Sequence, residues 1–382
     1  MNTFQKMTWK FPEYEVGESL DWNKMEIRYD WFGDMHDVMQ DPIWHAEGDV
    51  YVHTKMVVEE LLEIPEYRRL PEQGKHILLA AAMFHDVEKR SCTTRQDMDG
   101  VSRIVSPRHA KKGEYTAREI LYKEMNTPFE IREQIAKLVR LHGLPLWAID
   151  KPNPTKAVIE ASLVVNTHYL SILAKADILG RICDDQENIL LKIELFNELC
   201  KENDCFAKEK KFSSNYARYI YLNKSKSSPE YEPYDDLKFD VYVMCALPGT
   251  GKDFFIKENY DLPVLSLDSI RNEEGIRPAD KKKKGKLIQI AKEKAKEFLR
   301  AEQSFVFNAT NITTDIRAIW CSLFTDYGAR VKISYLEVPY ETLLEQNFNR
   351  DDKVPEKVID AMISKWEIPS FKEAYDVDYI VK

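Results

Sequence analysis

Nowhere in this sequence do apolar residues run on for the roughly eighteen positions that a membrane-spanning helix needs. The opening MNTFQKMTWKFPEYEVGESLDW also lacks the continuous apolar stretch of a secretory signal. A soluble, cytoplasmic protein with no membrane partner is expected. Cysteine is scarce, and its six residues (Cys92, Cys183, Cys200, Cys205, Cys245, Cys321) are scattered without a CxxC pair. Neither a structural zinc site nor a disulfide framework is therefore expected, and the thiols should be reduced and mostly packed. Basic charge is in deficit, with 55 Lys and Arg against 64 Asp and Glu and a net charge of −9. That excludes a broad, sequence-independent grip on duplex nucleic acid but leaves open a local grip on a strand end. There is no internal repeat, and low complexity is confined to KKKKGK at 281–286. Its lysines have two open readings, a solvated face or an attraction for a nucleic-acid backbone.

With 382 residues, the chain is long enough for two domains at roughly 100–200 residues each. A hydrophobic share of 44% and a charged share of 31% give each half the material for its own core. From about Val52 to Glu202 apolar residues recur at helical spacing, as in TKMVVEELLEI, GKHILLAAAMF, IREQIAKLVRLHG and IEASLVVNTHYLSILAKADILGR. This half is expected to be nearly all helix. Residues 223–238, NKSKSSPEYEPYDDLK, read as a connection between domains. Beyond it, β-type runs (FDVYVMCA, VLSLD, SFVFNAT, RVKISYLEV) alternate with helical ones, which predicts a parallel sheet flanked by helices. The expected organisation is an all-α domain over 1–228 followed by an α/β domain over 236–382.

In the second half, Ala246-Leu247-Pro248-Gly249-Thr250-Gly251-Lys252-Asp253 follows a strand and opens a helix, the context a Walker A loop requires. Small residues let successive backbone N–H groups curl around nucleotide phosphates, and the helix N-terminus adds positive potential. Pro248, Gly249, Thr250, Gly251, Lys252 and Asp253 are the expected nucleotide-binding residues, with Lys252 neutralising the β and γ phosphates. Two positions depart from the usual loop. Ala246 replaces its first glycine, and Asp253 stands where Ser or Thr normally meets Mg²⁺, a place a carboxylate can fill directly or through water. Ser266-Leu267-Asp268-Ser269-Ile270-Arg271 ends the next strand, putting a carboxylate and an arginine at the sheet edge where ligands bind. Phe307-Asn308-Ala309-Thr310-Asn311 again runs from strand into loop, and Gln346-Asn347-Phe348-Asn349-Arg350 is expected on a lid helix. Asp268 as a helix cap, or Arg350 as a solvated charge, are the plainer alternatives.

In the first half, His85-Asp86 closes an apolar helix, and His53, His109, His142 and Asp177 fall in other helical stretches. Neutral imidazoles and carboxylates in this mixture suit one or two divalent transition metals, converged by helix ends. His85 and Lys89 are four apart, as are Asp177 and Arg181, so each pair is expected on one helix face with a cation beside a bound phosphate. His45 and Glu47, in WHAEGDVYVHT at 44–54, read equally as loop hydrogen bonders and as supporters of the metal ligands. His36, His76 and His168 are expected to be structural.

Together the second-half motifs, followed by VPEKVIDAMISKWEIPSFKEAY, resemble the 5′-polynucleotide kinase branch of P-loop kinases over about residues 239–375. By that resemblance Asp268 would take the proton from a 5′-hydroxyl, Arg271 would hold the neighbouring phosphate of the strand, and Arg350 would clamp the donor phosphates. The family's lid often carries arginine where this chain has Gln346 and Phe348. The order His, His-Asp, Asp resembles the HD phosphohydrolase superfamily, matched at His53, His85, Asp86 and Asp177. His109 and His142 match the extra histidines of its two-metal members. The stretch WHAEGDVYVHT also resembles the HD domains attached to some bacterial tRNA nucleotidyltransferases, which hydrolyse 2′,3′-cyclic and 2′-phosphates.

The fusion of the two halves resembles the bacterial HD-Pnk end-healing enzymes. The resemblance implies that 2′,3′-cyclic phosphate and 5′-hydroxyl ends become 2′,3′-hydroxyl and 5′-phosphate ends. RNA or DNA ends, an NTP with Mg²⁺ (ATP or GTP) and a downstream polynucleotide ligase are the implied partners. Two rivals stay open: an HD nucleotidase fused to a small-molecule or nucleoside kinase, and a nucleotide-sensing regulator whose P-loop only binds.

Overall fold

The computed structural model describes residues 8–224, 227–276, 280 and 283–382, the side chain of Lys284 excepted. Lys281 and Lys282 thus lie outside the described residues. Among those described, no single helix is long and apolar enough to cross a membrane, and the six cysteines are free, four of them buried. Contacts divide the chain into two compact units, Met1–Lys211 and Phe212–Lys382.

The first unit is built around the helix Glu72–Phe84, whose residues Ile77 through Phe84 are all fully buried. A helix apolar all round can only be central. The helices Val50–Glu63, Phe129–Leu141 and Thr167–Leu179 pack directly against it, and His109–Lys123 packs on Phe129–Leu141. The two helices Val50–Glu63 and Thr167–Leu179 also meet each other. Gly180 makes that approach possible: a Cβ there would lie 2.7 Å from the backbone nitrogen of Val57 and 2.8 Å from its Cα. This half is not wholly helical. Strands β1 (Thr94–Met98) and β2 (Val101–Val105) form an antiparallel hairpin turning at Asp99-Gly100. The Asp-Gly pair was the available signal, since two-residue hairpin loops favour it.

The second unit is a five-stranded, all-parallel sheet with strands β3 (Phe239–Ala246), β4 (Val264–Ser266), β5 (Phe305–Asn308), β6 (Ala329–Glu337) and β7 (Asp376–Val381). Their order is β4-β5-β3-β6-β7, with β3 in the centre. Residues Val243–Ala246 and all of β5 are buried, as strands covered on both faces must be. The helix Asn215–Asn223, assigned from sequence to the first domain, counts with this unit. Its Arg218 donates to Asp376 Oδ1 at 3.2 Å and stacks 3.8 Å from the Phe371 ring. Strand β7, with its alternating DVDYIV, was not anticipated from sequence.

Candidate active sites

In the first unit, three of the four cluster histidines stand at helix ends. His85 and His142 follow the last residues of Glu72–Phe84 and Phe129–Leu141, and His109 opens His109–Lys123. Each directs Nδ1 at the backbone carbonyl three residues earlier: Ala82 at 2.7 Å, Ser106 at 2.7 Å and Val139 at 2.8 Å. A carbonyl only accepts, so Nδ1 carries the proton and Nε2 presents a lone pair. His53, on the first turn of Val50–Glu63, reaches the same state with Nδ1 facing Glu47 Oε1 at 2.9 Å and Gly180 O at 3.3 Å.

The four Nε2 atoms converge on Asp86. Those of His53 and His85 are 3.3 Å apart and lie 3.7 and 3.2 Å from Asp86 Oδ2. Those of His109 and His142 are 3.5 Å apart and lie 3.3 and 3.9 Å from Oδ1. Asp177 completes the first pair, with Oδ1 3.2 Å from His53 Nε2. Facing lone pairs with no proton between them repel, and Asp86 Oδ1 is buried without accepting a hydrogen bond. Four imidazole nitrogens facing one another and the open Asp86 Oδ1 form a largely buried set of acceptors that a cation would complete. Soft-to-borderline divalent metals suit this mixture of imidazole and carboxylate, and Asp86 lies between two half-sites. The residues therefore fit the expected metal set His53, His85, Asp86, His109, His142 and Asp177.

Charge in the cluster follows from these contacts. Burial alone would raise the Asp86 carboxyl, but the Lys89 ammonium beside it holds it well below the carboxylate range. Asp177 is likewise held down, against burial, by the Arg181 guanidinium. Burial lowers the His142 imidazole to about 3, which keeps its nitrogen available as a ligand.

Lys89 differs from its expected placement. The chain turns between His85 and Lys89, which opens a separate short helix, Lys89–Cys92, so the two are not on one helix face. Lys89 Nζ instead binds Asp86 Oδ2 at 2.7 Å and Gln40 Oε1 at 2.6 Å. Arg181 also lies beyond its helix, which ends at Leu179, but still grips Asp177 with both arms at 3.0 and 2.6 Å. Gln40 is a contact that no spacing in the sequence revealed, whereas Glu47 had two readings from WHAEGDVYVHT, as a loop hydrogen bonder or as a support of the metal ligands. His36, His76 and His168 lie apart from the cluster: His36 pairs with Glu26, and His76 accepts from the backbone of Phe11.

In the second unit, β3 runs into the loop Leu247–Gly251 and the helix Lys252–Asn259. Gly249 has φ +92°, and a Cβ there would sit 2.8 Å from the Leu343 carbonyl oxygen, so two independent constraints demand glycine. Thr250 Oγ1 donates to Leu247 O at 2.9 Å, tightening the turn. Lys252 Nζ donates to Asn308 Oδ1, and Asn308 Nδ2 donates to Asp253 Oδ1 at 2.8 Å. Asn308, the last residue of β5, thus bridges the loop lysine and the carboxylate that replaces Ser or Thr. Its position is set by Asn311, whose Nδ2 donates to Met244 O at 2.8 Å and whose own carbonyl accepts from the buried Arg317 at 3.0 Å.

Asp268 and Arg271 sit on the helix Leu267–Glu273, directly after β4, and are ion-paired with each other. The capping role belongs to Ser266, which accepts from Ser269 N at 3.3 Å. Arg350 is not on the helix Tyr340–Phe348 but just past its end, where Asn347 closes the following loop through Val354 N and O at 3.0 and 2.8 Å. From there its charge reaches both Lys252 and Asp253. Burial lowers the Lys252 ammonium, while Lys252 and Asn308 hold the Asp253 carboxyl down against burial. Gln346 Oε1 lies 4.0 Å from where a Gly251 Cβ would stand, so an amide faces the loop. Pro248, Gly249, Thr250, Gly251, Lys252, Asp253, Asp268 and Arg350 thus gather at the carboxyl ends of the strands, as open α/β sheets arrange their ligand sites.

A protein-family model described as an AAA domain matches residues 241–369. The L-seryl-tRNA(Sec) kinase of Methanococcus maripaludis is 27% identical over 146 residues, 36% of this chain and 56% of that protein. The chain thus spans only about half the length of this curated relative. A crystal structure from Chloroflexus aurantiacus, provisionally described as a kinase, overlaps 38% of this chain and 86% of its own at 16% identity and a TM-score of 0.33. The second unit carries a P-loop kinase-like domain.

Proposed function

We propose that the chain is a bifunctional end-healing enzyme of the HD-Pnk type: an HD-type phosphohydrolase unit that removes 2′,3′-cyclic or 2′-phosphates, and a kinase unit that phosphorylates 5′-hydroxyl ends. The observation that carries this reading is the convergence of four imidazole Nε2 atoms on one buried aspartate, in the same chain as a P-loop flanked by a carboxylate and an arginine. Divalent metal ions held by His53, His85, Asp86, His109, His142 and Asp177 would supply Lewis-acid polarisation of a phosphoryl oxygen. Around them Lys89 and Arg181 hold the two carboxylates ionised, and the carbonyl partners fix each imidazole tautomer.

In the kinase unit, an NTP with Mg²⁺ takes its phosphates onto the loop amides and Lys252, which must leave Asn308 to reach them. The γ-phosphoryl group passes to the acceptor oxygen, its bond to the β-phosphate oxygen breaks, and the hydroxyl proton goes to Asp268. Arg271, released from Asp268, pairs with the phosphate beside the acceptor hydroxyl. Asp253 would hold the Mg²⁺ of the nucleotide, and Arg350 meets charge developing on the donor. RNA or DNA ends are the substrates, and a polynucleotide ligase acting afterwards would seal the products.

The relative named for seryl-tRNA favours a second reading of the kinase unit, in which the acceptor is another hydroxyl, on an aminoacyl group or a small molecule. Incubation with γ-labelled ATP and parallel acceptors separates the two: a 5′-hydroxyl oligonucleotide, a free nucleoside and serine esterified to RNA. Label on the oligonucleotide alone supports end healing. Label on either other acceptor alone overturns it, and nucleotide binding without any transfer points to a regulator. Release of phosphate from 2′,3′-cyclic-phosphate RNA, abolished by chelation, is the matching test of the first unit.

A further inference from the structure

Three of the four cluster histidines face only a neutral backbone carbonyl with Nδ1, whereas His53 Nδ1 faces the Gly180 carbonyl at 3.3 Å and, closer, a carboxylate oxygen of Glu47 at 2.9 Å. Glu47 is almost wholly buried, with 1% of its side chain exposed. Its Oε1 receives His53 Nδ1 at 2.9 Å and His45 Nδ1 at 2.8 Å. Its Oε2 accepts from Ile182 N at 2.9 Å, and Ala46 N returns a hydrogen bond to Ile182 O at 3.0 Å. The loop carrying Glu47 is thereby stitched to the segment that follows the Asp177 helix. The carboxylate is held on three sides, and its position is set by both of the helices that supply His53 and Asp177.

A carboxylate behind a ligand imidazole withdraws its N–H proton more strongly than a carbonyl does and raises the donor strength of the opposite nitrogen. The two half-sites are consequently unequal. One has His53, backed by Glu47, with His85, Asp86 and Asp177. The other has His109 and His142, both backed only by carbonyls, sharing Asp86. Resting on the metal-centre reading above, we infer that Glu47 is a positioning residue that makes the His53 half-site the tighter of two metal sites. His45 is a second donor that holds Glu47 in place and does not itself bind the metal.

The test is titration of the metal-free, full-length protein with Co²⁺, followed by calorimetry and by the visible absorption of the bound ion. Wild type should take up two ions with unequal affinity. Glu47→Gln should weaken the tighter step by about 10–100-fold and leave the weaker one unchanged, as loss of a ligand's hydrogen-bond partner typically does. Glu47→Asp should recover part of the loss, and His45→Ala should keep both steps. Circular dichroism of each metal-free variant checks the fold, and Glu47→Asp provides the comparison should Glu47→Gln fail to fold. Identical steps in Glu47→Gln and wild type would reduce Glu47 to a loop clasp and overturn the inference. So would loss of an ion in His45→Ala as complete as in Glu47→Gln, because His45 and Glu47 would then be ligands. A wild type that binds no Co²⁺ refutes the metal centre itself, an outcome distinct from either of these.

Discussion

Replacing Gly180 with alanine sets two effects of opposite sign against each other. Gly180 has φ −76° and ψ 4°, a conformation alanine adopts freely. By backbone entropy alone Gly180→Ala should stabilise the protein by about 0.4–1 kcal/mol, because the unfolded chain loses freedom. The structure predicts the reverse. The new Cβ would lie 2.7 Å from Val57 N and Val57 Cγ2, and two of its three nearest atoms are backbone, which cannot rotate away. To reach the 3.4 Å of ordinary contact the helices must part by about 0.7 Å. Forcing such a shift in a packed interior costs about 1–3 kcal/mol, which outweighs the entropic gain. The melting transition of the first unit should fall by several degrees, at about 2–4 °C per kcal/mol for a unit of this size. The same displacement moves Asp177 from His53, now 3.2 Å apart, and Gly180 O from His53 Nδ1, now 3.3 Å, so metal affinity should fall as well. Differential scanning calorimetry of the metal-free protein and a Co²⁺ titration measure the two effects. A Gly180→Ala variant that melts higher than wild type and binds metal equally would refute the close-approach argument.

Gly249→Ala places a side chain at φ +92° and 2.8 Å from the Leu343 carbonyl, so it should weaken ATP binding at least about tenfold while leaving the phosphohydrolase activity proposed for the first unit intact; equilibrium titration with a fluorescent ATP analogue reads the loss. Asp253→Ala should lower phosphoryl transfer and raise the Mg²⁺ requirement, and Asp253→Ser should restore much of both, measured as the rate of 5′-hydroxyl phosphorylation against Mg²⁺ concentration; unchanged metal dependence in Asp253→Ala would sink the assigned role. Lys252→Ala should silence the kinase and spare phosphate release, with His85→Ala doing the reverse, and loss of both activities in a folded single variant would contradict chemically separate sites. Burial would raise the Glu114 carboxyl, but Lys137 and Arg118 hold it down at about 2, against an ordinary 4.5. A depressed carboxylate stabilises the fold above its unfolded value and loses that contribution as pH falls toward the folded one. The stability gap between wild type and Glu114→Gln in urea melts should therefore narrow by about 3 kcal/mol from pH 5 to pH 2, and a constant gap would refute it.

What the sequence made legible follows from how local each signal is. The P-loop could be read because its requirements, small residues after a strand and a lysine at a helix start, are satisfied within eight consecutive residues, 246–253. The parallel sheet was legible from the alternation of short apolar runs with amphipathic ones, each run carrying its own period. The hairpin at Thr94–Val105 was missed, although Asp99-Gly100 is a local signal, because exposed strands with polar residues such as Arg95, Gln96 and Asp97 lack an apolar stripe. Lys89 was placed on the face of His85 by assuming that the helix continues. In fact it ends at Phe84, and no capping signal between the two residues marks the turn.

The histidine cluster shows where such reading reaches its limit. Side-chain type, placement in helical stretches and the order His, His-Asp, Asp that resembles HD phosphohydrolases together nominated His53, His85, Asp86, His109, His142 and Asp177. Which nitrogen each presents is set by its acceptors: for His85, His109 and His142 a carbonyl three residues back, and for His53 a glutamate in a preceding loop together with the Gly180 carbonyl. For His85 and His142 the carbonyl device is generic, because a histidine just past a helix end faces the last turn's unpaired oxygens, whereas His109 opens its helix and uses the Ser106 carbonyl before it. Glu47 is not generic, because its place depends on Ile182, 135 residues away in the chain. Asn308 and Arg317 repeat the pattern in the kinase unit: Asn308 joins Lys252 to Asp253 across 56 and 55 positions, and Arg317 holds the loop that aims it. Ligands and nucleophiles can be nominated by type, whereas the residues that orient them are defined by long-range contact. Substitutions at Glu47 and Asn308 should accordingly alter affinity and metal dependence before they alter the fold.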